Sequence, residues 1–290
     1  MGKVRAYIRP IFLAALAAAA AVIWYAVFYA EGHQSLLVTF FDVGQGDSIF
    51  VEVPDGNQIL IDGGPSDRIL AKLGRVMPFW DRSIDLLILT HPHADHLDGL
   101  LEVLKRYDVD MVLESGVEHS IPEYQEWREL LERRGIQVVP ALVGERVDAG
   151  AGVTMEILSP FEAYQGVPAK NVHDANVASR LIHGENSFLF MGDAEKMIEY
   201  RLLFESPQLI DADILKVGHH GSKTSSSAEF LQAVSPEVAV ISAGRKNRFG
   251  HPTQEVLERL AATGTEIFRT DRDGDIQIRS DGTRHGLMRE

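Results

Sequence analysis

Apolar residues along this chain form short continuous runs that alternate with segments in which they recur at helical spacing. The run IDLLILT (84–90) is continuous, as expected of a strand that is covered on both faces. Further runs predict strands at 36–43, 48–53, 58–64, 109–115, 153–159, 176–182, 187–193, 211–217, 237–243, 265–270 and 275–280. Helical spacing predicts helices at 69–77, 97–107, 122–135, 194–206, 225–234 and 252–262.

Strands and helices alternate along most of the chain, and hairpins stand near both ends. This order predicts one α/β domain over residues 35–282, with mixed sheets between helical layers. Residues 160–175 lack a clear pattern, and we interpret them as an insertion or a lid. Residues 283–290 follow the last predicted strand and are expected to be a tail.

The N-terminal segment 11–30 has no charged or strongly polar residue. At about 1.5 Å per residue, such a helix spans about 30 Å, the thickness of one hydrocarbon core. Basic residues precede it, so residues 1–34 are predicted to be a cytoplasmic stub and a transmembrane anchor, with the rest across the membrane. A cleaved signal peptide and a buried core helix are the alternatives. The two candidate cleavage sites place Phe28 or Trp24 where a small residue is preferred.

The composition excludes several classes of protein. With 290 residues, of which 45% are hydrophobic, the chain can bury one large core or two small ones. Its formal net charge of −14 argues against binding nucleic acid over a broad basic face, but it is compatible with a small local contact to phosphate. The absence of cysteine excludes disulfide bonds, thiolate metal sites and cysteine nucleophiles.

The segment HPHADH (91–96) follows an apolar strand and concentrates side chains that bind metals. His91 and His93 are two residues apart in an extended stretch, so both can point the same way. Asp95 and His96 follow at the start of a helix and point elsewhere. Imidazole nitrogens and a carboxylate oxygen suit zinc, manganese or iron. The spacing is compatible with two metal ions, one at each pair, and a polar loop with solvated histidines is the alternative.

Three later strand ends also carry histidine or aspartate. Asp193 ends one apolar strand and precedes a helix, where its alternative role is that of an N-cap. His219 and His220 stand between glycines after the next strand, and His251 follows the strand after that. Ligands in layered α/β folds bind at the loops beyond strand ends. These residues are therefore predicted to gather with residues 91–96 around a common metal site.

The chain resembles the metallo-β-lactamase superfamily in the motifs THPHADH, FMGDAE, LKVGHHGSKTSSS and RKNRFGHP, with FFDVGQGDS ahead of them and FRTDRDGDIQI after them. It is most similar to the hydrolase domain of the ComEC/Rec2 family of competence (DNA-uptake) proteins, on the motifs FDVGQGDS and KVGHHGS. The resemblance covers residues 36–280. It implies a four-layered αββα sandwich with the metal ions at one edge.

The resemblance also assigns roles to individual residues. Asp193 matches the aspartate that bridges two metals, and His219 or His220 matches the late histidine. The residues that match the metal motif itself are His91, His93, Asp95 and His96.

One expected ligand is replaced. The superfamily places a histidine between the first motif and the bridging aspartate, whereas the competence-type pattern has Asn and Ser, here Asn176 and Ser179. His173 is nearby but off that pattern, and His251 is a further candidate ligand. The first metal site is therefore expected to be the weaker one, and the implied cofactor is one or two divalent ions, zinc or manganese.

We interpret the chain as a metal-dependent hydrolase, a membrane-tethered extracytoplasmic phosphodiesterase or nuclease that acts on DNA during uptake. The residues themselves indicate metal-dependent hydrolysis, and the resemblance selects DNA. Asp95 and Asp193 are the candidate catalytic residues, because a carboxylate can orient a water molecule or shuttle its proton. Family members carry a multi-helix channel, so a separate DNA-uptake channel protein is an implied partner. The alternatives are hydrolysis of small esters, thioesters or lactones, and a non-catalytic metal-stabilised module that docks on such a channel.

Other polar residues near the motifs have two interpretations each. Lys216, Ser222 and Lys223 are candidate phosphate contacts or ordinary loop residues. The basic segment RKNR (245–248) is a phosphate contact or a solvated turn. Residues that either support metal ligands from behind or serve turn chemistry are Asp42, Gln45, Asp47 and Asp62.

Overall fold

The computed structural model describes the backbone of residues 2–32 and 35–288, and the side chains of residues 10–25 and 35–288. Its α-helices are α1 (Gly2–Gly32), α2 (Arg68–Val76), α3 (Ala94–Arg106), α4 (Pro122–Arg134), α5 (Lys196–Glu205), α6 (Ala228–Val234), α7 (Gln254–Ala262) and α8 (Thr270–Asp273). Short 3-10 helices cover Val172–Ala175, Pro207–Leu209 and Gly218–Gly221.

The strands are β1 (Leu36–Phe40), β2 (Ile49–Glu52), β3 (Gln58–Ile61), β4 (Ser83–Leu89), β5 (Asp108–Glu114), β6 (Gln137–Pro140), β7 (Arg146–Gly150), β8 (Val153–Ser159), β9 (Ala178–His183), β10 (Asn186–Phe190), β11 (Ile214–Lys216), β12 (Val238–Ile241), β13 (Glu266–Arg269), β14 (Ile276–Ser280) and β15 (His285–Met288).

These strands form two mixed sheets. One sheet has the order β15-β14-β1-β2-β3-β4-β5-β6, and the other has the order β13-β12-β11-β10-β9-β8-β7. Strands β3 to β6 run parallel in the first sheet, and strands β10 to β13 run parallel in the second. Parallel neighbours end on the same side, so several loops after strands meet at one edge of the molecule.

Three apolar layers join the sheets and the helices. In the central layer, residues of both sheets interdigitate, among them Val38 and Phe188. Helices α2, α3 and α4 cover the outer face of the first sheet, where Leu100 and Trp127 are fully buried. Helices α5, α6 and α7 cover the second sheet in the same way. The predicted four-layered αββα sandwich is therefore confirmed.

Strand β4 shows how the sequence pattern produces this layering. Leu86 and Ile88 face the central layer, whereas Leu87 and Leu89 face the helices. Because both faces are covered, the strand reads as one continuous apolar run. The same strand ends directly before His91 and so delivers the histidine motif to the edge of the sheet.

Three strands of the structure were not predicted, and each stands at a margin of its sheet. Strands β6, β7 and β15 are short, and most of their residues are only partly buried or exposed, so their apolar pattern is weak. Strand β15 pairs antiparallel with β14. The segment 283–290, expected to be a tail, thus contributes one more strand to the first sheet, and its residues 289–290 lie outside the described part.

The predicted anchor, 11–30, falls within α1. The side chains of residues 26–30 lie outside the described part of the chain. Among the residues that the structure describes, we find no helix with the length and apolar character that crossing a membrane requires. The anchor remains a prediction from the sequence.

Helix α3 lies unusually close to the loop after β3, and two glycines make this contact. A Cβ atom on Gly99 would stand 1.9 Å from the carbonyl oxygen of Gly63, which no side chain tolerates. The backbone N–H of Gly63 donates to the carbonyl oxygen of His96 (2.8 Å), and that of Gly99 donates to Gly64 (2.9 Å). The first turn of α3, with His96, is therefore fixed against the loop that carries Asp62.

We expect Gly99→Ala to destabilise the fold by about 1–3 kcal/mol, because the added methyl group must push α3 from the loop. It should also weaken metal binding, since His96 moves with the helix. Gly74→Ala in α2 is the matched control: Gly74 is exposed, and a Cβ there meets no atom within 4 Å. The control should be neutral or stabilising by up to about 1 kcal/mol. Urea unfolding of both variants measures this, and equal midpoints would contradict the close contact.

Candidate metal centre

Side chains from separate loops meet at the edge where the parallel strands end. The loop after β4 carries residues 91–96, the loop after β10 carries Asp193, and the 3-10 helix after β11 carries His219 and His220. The segment that precedes β9 adds His173. Among the described residues, the ligand atoms form overlapping groups, and the carboxylate of Asp193 lies between two of them, which contain residues of the 91–96 motif on its opposite sides. The other two groups are His173 with Glu195 and His219, and Asp47 with His96 and Asp193.

The first group consists of His91, His93, His173 and one oxygen of Asp193, whose ligand atoms lie within 4.8 Å of one another. The Nε2 atom of His91 is 3.0 Å from Nδ1 of His93 and 3.7 Å from Oδ2 of Asp193. Three imidazoles and one carboxylate oxygen are the donor set of a first-row divalent metal.

The second group consists of Asp95, His96 and His220. The Oδ1 atom of Asp193 is 3.4 Å from Nε2 of His96 and 3.4 Å from Nε2 of His220. Nε2 of His220 is also 3.4 Å from Oδ2 of Asp95. The two oxygens of Asp193 therefore face different groups, which is the geometry that a carboxylate bridging two ions needs.

Buried polar atoms that lack a hydrogen-bond partner indicate whether metal ions fit this arrangement. Nε2 of His96, Nε2 of His220 and Oδ1 of Asp193 are all buried and make no hydrogen bond. Buried polar atoms normally have partners, because leaving one unpaired costs about 1–3 kcal/mol. The two unpartnered nitrogens each lie 3.4 Å from the third atom, Oδ1 of Asp193, and this arrangement fits a shared cation.

The Nδ1 atoms of His96 and His220, which face away from Asp193, have polar partners of their own. Nδ1 of His96 lies 2.7 Å from Oδ2 of Asp62, which also accepts a hydrogen bond from the hydroxyl of Thr90 (2.7 Å). Nδ1 of His220 is hydrogen-bonded to the carbonyl oxygen of Ser242 (3.0 Å) and lies 3.2 Å from Oδ1 of Asp47. Such partners fix the ring orientation and leave Nε2 as the ligand atom. Asp47 and Asp62 thus occupy the supporting positions suggested by the sequence.

Asp42 and Gln45, grouped with them in the sequence, serve the backbone of turns. Oδ1 of Asp42 accepts a hydrogen bond from the N–H of Gly44 (3.2 Å). Oε1 of Gln45 accepts one from the N–H of Gly244 (3.1 Å). The side chain of Asp42 therefore follows the turn-chemistry alternative, whereas that of Gln45 ties its loop to the distant loop after β12.

The structure brings His173 into the first group, where the sequence pattern pointed to Asn176 and Ser179. The ring of His173 is 5.2 Å from that of His91 and 5.0 Å from that of His93. Its backbone N–H donates to the side chain of Asn171 (3.2 Å), which caps the 3-10 helix. The sequence identified His173 only as a histidine in the irregular segment 160–175.

Asn176 positions the bridging carboxylate instead of facing the metal groups. Its Oδ1 accepts a hydrogen bond from the backbone N–H of Asp193 (2.8 Å), and its Nδ2 donates to the carbonyl oxygen of Met191 (3.0 Å). Ser179 is a buried residue of β9, opposite Phe190 in the sheet.

His219 and His220 are neighbours in sequence but point to different groups. His220 is buried and belongs to the second group. Nε2 of His219 is 3.7 Å from Oδ2 of Asp193, and its Nδ1 is 3.4 Å from Glu195, so it lies at the mouth of the first group. His251 stands one ring further out, 5.9 Å from His219 between ring centres.

The left-handed backbone of the histidine pair produces this divergence. His219 and His220 have φ values of 46° and 53°, in the left-handed region that non-glycine residues rarely adopt. The N–H of His219 donates to the carbonyl oxygen of Gly192 (3.0 Å), and the hydroxyl of Ser225 donates to that of Gly218 (2.7 Å). Strain of this kind persists only where surrounding bonds enforce it, and it concentrates at functional sites.

Lys216 is not placed to contact a phosphate, in contrast to the sequence-based expectation. Its side chain is fully buried, and its ammonium group donates to Asp47 and to the carbonyl oxygen of Gly192 (3.1 Å). A buried ammonium must be paired, so Lys216 balances the charge of Asp47. Ser222 is buried and bonds to Thr224 (3.0 Å), whereas Lys223 is exposed.

Burial keeps the histidines of the first group neutral. It lowers the pKa of His91 well below its usual range, and the neighbouring charge of His96 lowers it further. Burial, together with His173, lowers the pKa of His93 to about 4. The pKa of His173 is lowered by burial as well. These imidazoles have free lone pairs at neutral pH, as metal ligands require.

In the second group, neighbouring carboxylates raise the pKa values of the histidines instead of lowering them. Burial opposes charge on His220, but Asp193 and Asp47 outweigh it and raise its pKa to about 10. Burial is likewise outweighed at His96, where Asp193 and Asp62 hold the pKa well above its usual range. Without a metal, protons therefore occupy the positions that a cation would take, and binding must displace them.

A cavity of about 750 Å³ opens beside the first group. His119 lines it, and the ring of His119 is 5.9 Å from that of His93. Tyr124 and Arg128 of α4 form one wall, and Pro168 of the segment 160–175 forms another. The segment interpreted as an insertion or a lid thus borders both the metal groups and the adjacent cavity.

The comparison with protein families agrees with this geometry. The sequence model of the metallo-β-lactamase superfamily matches residues 41–245. The chain belongs to this superfamily. A fold with two sheets flanked by helices and a cluster of histidines and aspartates at one edge is thus that of a metallo-β-lactamase superfamily hydrolase.

Among curated proteins, this metallo-β-lactamase chain is homologous to competence proteins. It is 32% identical to ComE operon protein 3 of Bacillus subtilis over 260 residues, which cover 83% of this chain and 33% of that protein. It is 32% identical to Competence protein ComA of Neisseria gonorrhoeae (83% and 32% covered) and 33% identical to Recombination protein 2 of Haemophilus influenzae (83% and 28% covered). The chain spans about a third of the length of these relatives.

Solved structures share the fold at low sequence identity. The metallo-β-lactamase fold protein YhfI from Bacillus subtilis superposes with a TM-score of 0.58 at 13% identity, covering 85% of this chain and 100% of that one. Igni18, a metallo hydrolase from Ignicoccus hospitalis, gives a TM-score of 0.54 at 19% identity, covering 83% and 98%. These likenesses establish the architecture.

We expect His173→Ala to remove metal from the first group and leave the second group loaded, because this ring belongs to the first group and to a neighbouring cluster with Glu195 and His219, but not to the second group. Mass spectrometry should then find about one ion per chain in place of about two. The first-site affinity should fall by more than the roughly 10–100-fold that loss of an outer partner costs. The control is His183→Ala, since Nδ1 of His183 bonds to Ser280 (2.9 Å) outside the described metal groups. Metal loss in Asn176→Ala or Ser179→Ala, with His173→Ala unaffected, would contradict this assignment.

We also expect metal binding to release protons at pH 7 and to strengthen as the pH rises. The raised pKa values of His96 and His220 mean that each must lose a proton to act as a ligand, so about two protons should leave. Calorimetric titration with Mn²⁺ in buffers of different ionisation enthalpy counts them. Asp47→Asn removes one charge that raises the pKa of His220 and should reduce the count. Heats that do not depend on the buffer would contradict the electrostatics described.

Proposed function

We propose that this chain is a metal-dependent phosphodiesterase that acts as a nuclease on DNA in a competence-like uptake process. The observation that carries the proposal is the position of Asp193, which presents one carboxylate oxygen to each of two ligand groups. Two-metal sites of this kind clamp the attacking and leaving oxygens of a phosphodiester. The names of the homologous competence proteins support DNA as the substrate.

Bound divalent ions would lower the pKa of a water molecule to about 7 and so supply the nucleophile at neutral pH. The residues of the chain supply the positions and the proton acceptor. Asp95 is suited to accept a proton, because its side chain is 30% exposed whereas that of Asp193 is 3% exposed. His220 and His96 outweigh the effect of burial and keep the pKa of Asp95 low, so its carboxylate is ionised at neutral pH.

Location and partners form a separate part of the proposal. The apolar segment 11–30 and the basic residues before it support a single-pass anchor that leaves the catalytic domain outside the cytoplasm. A separate DNA-uptake channel is the proposed partner, because the homologous region makes up about a third of the competence proteins. Alkaline extraction of membranes from cells that express the full chain tests the anchor.

We expect the full chain, loaded with Mn²⁺ or Zn²⁺, to cleave DNA in a gel assay and to lose this activity in EDTA. Asp95→Ala should lower kcat by at least about 10²–10⁴-fold, because it removes a carboxylate of the second ligand group as well as the candidate proton acceptor, and Asp193→Ala should abolish cleavage together with metal binding. Asp110→Ala is the control, since Asp110 is an exposed carboxylate near the start of β5, at the opposite end of the sheet. Turnover of small esters without DNA cleavage would favour the alternative hydrolase, and inertness with intact metal binding would refute the nuclease.

A further inference from the structure

An exposed aromatic ring lies beside the metal centre and takes no part in holding the metal. Phe249 belongs to the loop after β12, and 54% of its side chain is exposed. Its ring is nearly parallel to that of His251, at 9° and 5.9 Å between centres. His251 in turn lies 5.9 Å from His219 at the mouth of the first metal group. Phe249 is therefore two ring contacts away from a residue of the centre.

The loop that carries Phe249 is held in place by its own hydrogen bonds. The side chain of Asn247 donates to the carbonyl oxygens of Gly244 (2.9 Å) and His251 (2.6 Å), and it accepts from the N–H of His251 (2.9 Å). Just beyond the loop, the N–H of Thr253 donates to Gly221 (2.9 Å), in the same 3-10 helix as His219 and His220. The ring is thus presented at a fixed distance from the metal ligands.

One cationic side chain lies against this ring, and two more stand in the same loop. The guanidinium carbon of Arg248 lies 5.0 Å from the centre of the Phe249 ring. Arg245 and Lys246 are exposed in the same loop. In a chain with a net charge of −14, three basic residues within four positions are a local concentration of positive charge, which favours contact with a phosphate.

We propose that Phe249, with Arg248 and its basic neighbours, binds an unpaired nucleotide of a single strand, stacking the base and pairing with the adjacent phosphate. The proposal rests on the nuclease function and names the form of its substrate. Proteins that bind single strands combine aromatic stacking with a basic surface that follows the backbone. An exposed ring next to cations is what such binding uses, and a duplex hides the base faces that the ring would contact.

The charge of the chain favours a single strand over a duplex for the same reason. Binding to a duplex depends on neutralising many phosphates along both strands, which requires an extended basic face. The net charge of −14 provides no such face, whereas stacking on Phe249 needs only one unpaired base and a few local cations. The His219 side of the metal centre would then receive the strand from the Phe249 loop.

The test compares binding and cleavage of three probes: a 5′-labelled oligothymidylate, the same backbone with abasic residues, and a duplex of equal length. Fluorescence anisotropy is measured in an Asp95→Ala background, so that the strands stay intact, and cleavage is measured in the parent chain. Phe249→Ala should weaken binding of oligothymidylate by about 5–150-fold, which corresponds to about 1–3 kcal/mol of base stacking. Phe249→Trp should restore it.

The abasic strand should bind the Phe249→Ala chain and its parent equally weakly, because it has no base to stack. Phe204→Ala is the matched control, since Phe204 is 88% exposed at the far end of α5. An unchanged affinity for oligothymidylate in Phe249→Ala, or an equal loss on abasic and duplex probes, would overturn the proposal.

The outcome also separates this inference from the nuclease function. A parent chain that cleaves DNA while Phe249→Ala binds oligothymidylate normally refutes the stacking site alone. A parent chain that binds oligothymidylate through Phe249 but cleaves no probe refutes the nuclease alone. A chain that neither binds nor cleaves any probe refutes both.

Discussion

The centre of this protein depends on burying one carboxylate, that of Asp193, between two groups of histidines. A buried charge is strongly unfavourable unless opposite charges or a metal compensate it. His96 and His220 provide that compensation on one side, and the neutral ring of His91 lies on the other. Asp193 can hold both groups together only if the ends of β4, β10 and β11 stay in register, which links the layering of the sheets to the chemistry at their edge.

The surrounding structure contributes strain and close packing to keep that register. At His219 and His220 the left-handed backbone sets the directions of two adjacent side chains, one toward the mouth of the first group and the other into the second. The glycine contact between α3 and the loop after β3 fixes His96 against Asp62. The left-handed backbone and the glycine contact each restrict the chain locally, which costs free energy. The packing of three apolar layers offsets that cost. The contacts that position the ligand residues are thus made by the chain itself.

The sequence pattern predicted which residues gather at the site wherever the local spacing of the polar residues sets the directions of their side chains. The structure brings the four polar residues of the motif 91–96 into the two ligand groups, because side chains two residues apart on an extended chain point alike and those of the next turn point elsewhere. Asp193 and the pair 219–220 were found because loops after parallel strands share an edge. His173 was missed as a ligand, since an irregular segment gives no periodicity from which to infer direction. Lys216 was misjudged because its position beside the histidine pair in sequence does not reveal that its side chain turns inward.

The sequence by itself determined the class of the fold, the layering of its strands and helices, and the metal-binding character of the chain, because apolar periodicity and ligand type are local properties. Only the tertiary structure decided which polar residues meet. It divided the histidines between two groups, assigned Asp47 and Asp62 to the positions behind them, and placed Phe249 beside His251 and the metal centre. These choices depend on the directions of side chains from strands far apart in sequence, and such directions are fixed only when the sheets pack.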